Sequence, residues 1–340
     1  MSEQDPLADT AAEAGALGLI SSCESSVVSD GPEAGTRRIR LVSGDLDVEL
    51  LPDRGLDLGV ARVAGVPVSW VSPTGFPRRD LTADTGFART FGGGLLATCG
   101  LQNFGPEQLE DGGGGAGSRV AHPMHGRYGS IPASVVRAEA DETGAVVEGR
   151  VREAEVFGVD LELRRRVELP LGERAIRIRD VVVNRGALPA ECMVLYHLNF
   201  GWPLVAEGTE LRTGAEEVLP RDAAAEAGLE EWHRFPALSE RYPEQVFSHR
   251  LPGGRSAEIG IAHPGGFTAR VAYDPAQLPG LFQWRVAERG FAVLAVEPAT
   301  APTILGRADA LARGLTRTLP PGGRFELGLE ISFTGAPSLR

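Results

Sequence analysis

The stretch AVVEGRVREAEVFGVDLELRRRVELPLGERAIRIRDVVVNRG, Ala145 to Gly186, alternates apolar and polar residues through three successive runs. A period of two sends alternate side chains to opposite faces, so each run reads as a half-buried strand. PLGERA, Pro170 to Ala175, supplies one of the turns. In VDLELRRRVEL the charges of Asp160, Glu162, Arg164 and Arg166 share one face, opposite apolar positions. The stretch is therefore a long antiparallel meander with one wet face.

The same pattern extends in both directions. RRIRLVSG, LDVELLP and GVARVAGVPVSWV precede it; SAEIGIAH, GFTARVAYD, LFQWRVAERGFAVLAVEP and GGRFELGLEISFTG follow. Each run is bounded by Gly, Pro, Asp or Ser, as strands joined by turns are. The 44 glycines and 24 prolines suit a turn-rich chain, and short helices are expected only near Asp222–Glu231 and Ala308–Arg313. On the order of 15 or more strands with no propeller-length repeat predict a mainly β chain folded as a large antiparallel two-sheet β-sandwich. Residues 24–340 form one domain in this reading, after a flexible segment over 1–23. The tract LEDGGGGAGSR, Leu109 to Arg119, is an exposed loop or a lid.

Net charge is -12 over 340 residues and is spread along the chain, which argues against nucleic acid or anionic lipid as a partner. Cys23, Cys99 and Cys192 form no C-x-x-C pair, and an odd count suggests no disulfide framework, so a reducing cytoplasm is expected. The N-terminus lacks a basic and apolar signal pattern, and no run approaches the roughly 20 apolar residues of a membrane span. No cofactor motif is found. The sequence leaves open whether the chain forms a homodimer.

Four segments carry polar groups that strand formation alone does not require. In GFARTFGGGLLATCGLQNFG, Arg89 and Phe91 precede three glycines that allow close backbone approach to a ligand or ordinary turns. HPMHGRYGS gathers His122, His125, Arg127 and Tyr128; it suits hydrogen bonding to a sugar or a plain polar loop, and lacks the further ligands of a metal site. In MVLYHLNFGWP, Tyr196 and Leu198 take one strand face and Leu195, His197 and Asn199 the other, leaving His197 as a core histidine or a proton-transfer group. In AVLAVEPATAPTILGR, Glu297 closes an apolar strand, where a carboxylate is hydrogen-bonded, exposed at the strand end or raised in pKa; Arg307 ends the segment.

Taken in order, the arginine before the Gly-rich turn, MHG, YHLNFGW, LPGLFQW and the strand ending in glutamate resemble the aldose 1-epimerase, galactose mutarotase-like superfamily, from about Arg38 to Phe333. LPDRGLDLGVARVAGVPVSWVSP is similar to its DUF4432 branch. The resemblance implies a galactose mutarotase-like supersandwich and a small carbohydrate ligand, with His197 as general acid and Glu297 as general base. It also implies His125, Arg89, Arg127, Asn199, Trp284 and Arg307 as sugar-binding residues, with no metal. Phe91, Phe200 and Trp202 are further aromatics that could face a sugar. Two features depart from the family: Pro298-Ala299 replaces Thr-Gln after the base, and the aspartate that grips sugar hydroxyls has no aligned counterpart, Asp274 and Glu240 being candidates only. The competing function is a carbohydrate-binding or sensing protein without turnover.

Overall fold

The computed structural model describes residues 15–78, 86–111, 119–254 and 256–338. Among them, 22 strands form sheets of 12, 8 and 2 strands. The quoted stretch forms Gly144–Ala154, Asp160–Pro170 and Ala175–Asn184, paired antiparallel as the alternation predicts. They belong to the eight-stranded sheet, which Ser134–Asp141 closes at one edge and Glu210–Arg212 at the other. The two short α-helices, Ala223–Glu226 and Arg307–Ala312, lie where the sequence places them. The first strand begins at Ser21, slightly ahead of the expected boundary at residue 24. Residues 112–118, the Gly-rich part of the expected loop or lid, lie outside the described residues, as do residues 1–14.

The inner faces of the two large sheets share one apolar core that includes Leu41, Val48, Leu163, Val167, Tyr196, Leu198 and Phe200. Phe200, an aromatic candidate for the site, is consumed by this core. One inner position breaks the expected pattern. Arg165 has the parity of Leu161, Leu163 and Val167, and its side chain is fully buried between the sheets against Asp57 and Asp180.

The 12-stranded sheet carries in its middle, in order, Leu96–Leu101, Ala190–Gly201, Phe291–Ala299, Gly280–Glu288 and Gln245–Arg250. Its outer face is covered in part by a second apolar cluster in which Cys99, Met193, Leu195, Phe282 and Ala299 pack with Ala310 of the C-terminal helix. Beyond this cluster the same face carries polar residues. No helix among the described residues is long and apolar enough to cross a membrane.

Candidate active site

The strand Ala190–Gly201 supplies both walls of the fold. Tyr196 points inward, and its hydroxyl donates to Asp180 (2.7 Å). His197 therefore faces outward. The antiparallel neighbour pairs Ala299 with Leu195 and Val296 with Leu198, a register that sets Glu297 beside His197. His197 Nε2 lies 3.4 Å from Glu297 Oε1, and the two residues are only 4% and 2% exposed.

Aromatic rings enclose the histidine. The ring centroids of Phe91, Trp284 and His125 lie 5.2, 5.6 and 5.8 Å from that of His197. Trp70 packs edge-on against Trp284, and Phe87 stacks on Phe91. The glycine triplet permits this closure: a Cβ on Gly93, at φ +71°, would lie 2.6 Å from the Trp70 ring. An open cleft of about 410 Å³, its mouth included, shares Phe87, Phe91 and His125 with this enclosure and continues past Ala97, Cys99 and Arg54.

Burial drives both members of the pair toward their uncharged forms. His197 is lowered to about 3 by loss of solvent, reinforced by repulsion from His125 and opposed by Asn199. Glu297 is raised to about 8 by the same desolvation, which attraction from Arg221 opposes and Glu244 reinforces. At the rim, Trp284 Nε1 donates to Glu244 (3.1 Å), and Arg221 donates to the other oxygen of that carboxylate (2.8 Å).

The structure brings His197, Glu297, His125, Asn199 and Trp284 together. His125 is half-buried in a left-handed backbone conformation, φ +60°, uncommon for a residue with a Cβ. Its amide donates to Gly105 O (2.9 Å), and its carbonyl accepts from Gly100 N (3.1 Å). The arginines are placed differently. Arg89 and Arg127 are exposed. Arg307 is buried at the start of the C-terminal helix, where it pairs with Glu110 and donates to the carbonyls of Gln102 and Glu191. Arg307 is not among the residues that line the cleft, and its guanidinium acts as a tie between segments. Asp274 caps its own turn through Ala276 N (2.8 Å), Glu240 is exposed, and Trp202 is 55% exposed.

His122 and His125 also separate: His122 is buried against Glu110 (3.4 Å). Among the described residues no group of three or more His, Cys, Asp or Glu could hold a metal ion. Four residues of this region escape the sequence reading: Trp70, Arg54, Arg221 and Glu244. Trp70 appears there only as part of a strand run, and Arg54 lies in a turn, where its guanidinium donates to Pro77 O and Thr90 O and so holds the segment that carries Phe87 and Phe91. Arg221 and Glu244 flank strands as ordinary surface charges, with no local signal of the approach to Glu297.

The family described as Domain of unknown function (DUF4432) matches residues 33–333. No curated protein sequence matches the chain significantly. Among solved structures, a "putative aldose 1-epimerase" from Klebsiella pneumoniae superposes with a TM-score of 0.82 at 22% identity, over 92% of this chain and 83% of that one. A galactose 1-epimerase from Lactobacillus acidophilus gives 0.61 at 15% identity, over 92% and 98% of the respective chains. A galactose mutarotase-like protein from Clostridium acetobutylicum gives 0.61 at 14%, with the same coverages. At these identities the likeness establishes the fold, a galactose mutarotase-like sandwich.

Proposed function

The chain belongs to the family described as Domain of unknown function (DUF4432), and we propose that it is an aldose 1-epimerase-type isomerase that interconverts the α and β anomers of a free sugar or sugar derivative. The observation that carries this reading is the His197–Glu297 pair. Two titratable groups, both buried, face each other at 3.4 Å beside an aromatic-lined cleft. Anomer interconversion requires one group to take the proton of the anomeric hydroxyl and another to protonate the ring oxygen. The ring opens to the aldehyde, the C1–C2 bond rotates, and the reverse transfers close the other anomer. Each positioned acid or base contributes roughly 10²- to 10⁴-fold.

The surrounding residues have parts in the same scheme. Trp284 and Phe91 offer flat apolar faces to the C–H groups of a pyranose, and His125 offers a ring nitrogen to its hydroxyls. Arg221 and Glu244, linked to Trp284 at the rim, fill the place of the missing hydroxyl-gripping group. The test is selective saturation transfer between anomeric proton signals over a panel of free aldoses, with wild-type protein and Glu297→Gln. Transfer on at least one sugar that falls roughly 10²-fold or more in the variant supports the isomerase. Perturbed protein signals without accelerated exchange on any sugar would replace it with a carbohydrate-binding protein.

A further inference from the structure

The His197–Glu297 pair and the open cleft lie on opposite sides of one aromatic ring. Phe87, Phe91, Gly93 and His125 line the cleft, whereas His197, Glu297 and Trp284 do not. The Phe91 ring stands 5.2 Å from that of His197, centroid to centroid, which is ordinary contact between aromatic rings and leaves no layer for a sugar between them. With His197 4% and Glu297 2% exposed, the pair is closed to a solute of that size. Chemistry at these side chains therefore requires one of their covers to move.

The covers differ in how they are held. Trp284 belongs to a strand paired on both sides, with Val246 and with Ala295, and its indole is tied to Glu244 (3.1 Å). His125 is fixed through its own amide and carbonyl. Phe91 instead follows a single short helical turn, Phe87–Arg89. Beyond Phe91 the chain is anchored, for a Cβ on Gly94 would lie 2.4 Å from Leu58 O. At the other end Gly86 has φ +70° and ψ 149°, a conformation nearly confined to glycine, and a Cβ added there would meet nothing within 4 Å. Three consecutive carbonyls hold the segment down: Thr90 O accepts from Arg54 (2.7 Å), Phe91 O from Ser72 Oγ (2.7 Å) and Gly92 O from Ser72 N (2.9 Å). Such bonds are each worth little net, so the segment can release while the sheets behind it stay folded.

We propose that Phe91 is a gate: the segment from Gly86 to Gly92 pivots away from Ser72 and Arg54, draws the Phe91 ring off His197 and joins the cleft to the His197–Glu297 pair. This rests on the isomerase reading and supplies its entry step. The sugar arrives past His125, while Trp284 and His125 keep their places. The displaced ring remains beside the cleft, where its face stacks on the C–H groups of the entering sugar.

The experiment is acylation of the full-length protein by diethyl pyrocarbonate at pH 7 without sugar, followed by mass spectrometry of tryptic peptides, in which His197, His249 and His263 fall separately. In the wild type His197 should react roughly 10- to 10³-fold more slowly than the half-buried His263, as a minor open state of roughly 0.1–10% allows. Ser72→Ala removes the side-chain donor to Phe91 O and should speed labelling of His197 roughly 2- to 10-fold. Gly86→Ala strains the closed backbone without a clash and should act in the same direction, whether or not Ser72→Ala folds. His249, 4% exposed and bonded through both ring nitrogens to Thr213 and Gln283, reports global opening and should not change. Labelling of His197 as fast as His263 in the wild type, labelling unchanged in both variants, or a rise shared by His249 overturns the gate. In turnover, Ser72→Ala should lower the apparent KM by the factor seen in labelling with kcat little changed, because apparent affinity scales with the competent fraction; an unchanged KM beside faster labelling would overturn entry through this opening. The labelling needs no turnover, so the expected labelling without anomer exchange on any aldose overturns the isomerase reading alone, and exchange with labelling indifferent to both variants overturns the gate alone.

Discussion

Tyr196 and His197 are neighbours on one strand, yet they serve buried ionisable clusters of opposite character. On the inner side, every N–H of Arg165 has a partner: Asp180 takes Nε and one Nη2 hydrogen, Thr98 Oγ1 the other, and Asp57 and Leu56 O those of Nη1. Asp57 also accepts from Thr98 N (3.0 Å), and the rings of Tyr128 and Tyr196 flank the guanidinium at 5.6 and 5.9 Å. On the outer side, His197 and Glu297 share one long contact, and His197 Nδ1 and Asn199 Oδ1 have no partner. A cluster with every valence filled ties two sheets together and has nothing left to offer a ligand. A buried pair with orphan atoms beside a cleft has the properties of a reactive site.

The first way to break this contrast is to disturb the filled cluster. Arg165→Met leaves two buried carboxylates without their cation and should cost about 3–5 kcal/mol, read from denaturant unfolding. An unchanged midpoint would show that the inner network is not structural. Tyr196→Phe removes one hydrogen bond to the Asp180 carboxylate and should cost less, about 1.5–3 kcal/mol, with His197 on the opposite face left in place.

The pH dependence sharpens the same contrast. Glu297 ionises near its ordinary value of 4.5 in the unfolded chain but only near about 8 in the fold, so the folded state binds the extra proton between those values. Relative to Glu297→Gln, wild-type stability is unaffected below pH 4.5. It declines as pH rises toward about 8, by at most about 1.4 kcal/mol per pH unit, and levels off beyond. Paired unfolding titrations check this, and a relative stability that rises over the same interval would contradict the buried, proton-holding carboxyl.

The sheets were legible because alternation is a local property: Ala145–Gly186 became three paired strands as its period required. The filled cluster was not. Arg165 stands between two arginines of the wet face at a position whose parity is that of the apolar face, and its partners Asp57 and Asp180 are 108 and 15 residues away, so only the fold reveals what neutralises it there. His197 and Glu297 were identified by family resemblance and by the oddity of titratable groups in apolar strands, and their cross-strand register brings them together. The arginines do not gather at the His197–Glu297 pair, and for a physical reason. A long, many-donor side chain serves equally as a tie between backbone segments, as Arg307 and Arg54 do, and sequence does not distinguish that use from ligand binding.

The most direct test sets the two clusters side by side, measuring unfolding midpoint and anomer-exchange rate per folded molecule for Arg165→Met and Glu297→Gln at pH 7. The predicted result is a crossed pattern: Arg165→Met loses stability and keeps exchange, while Glu297→Gln keeps or gains stability and loses exchange. A Glu297→Gln protein that exchanges anomers at the wild-type rate would contradict the assignment of chemistry to the outer pair.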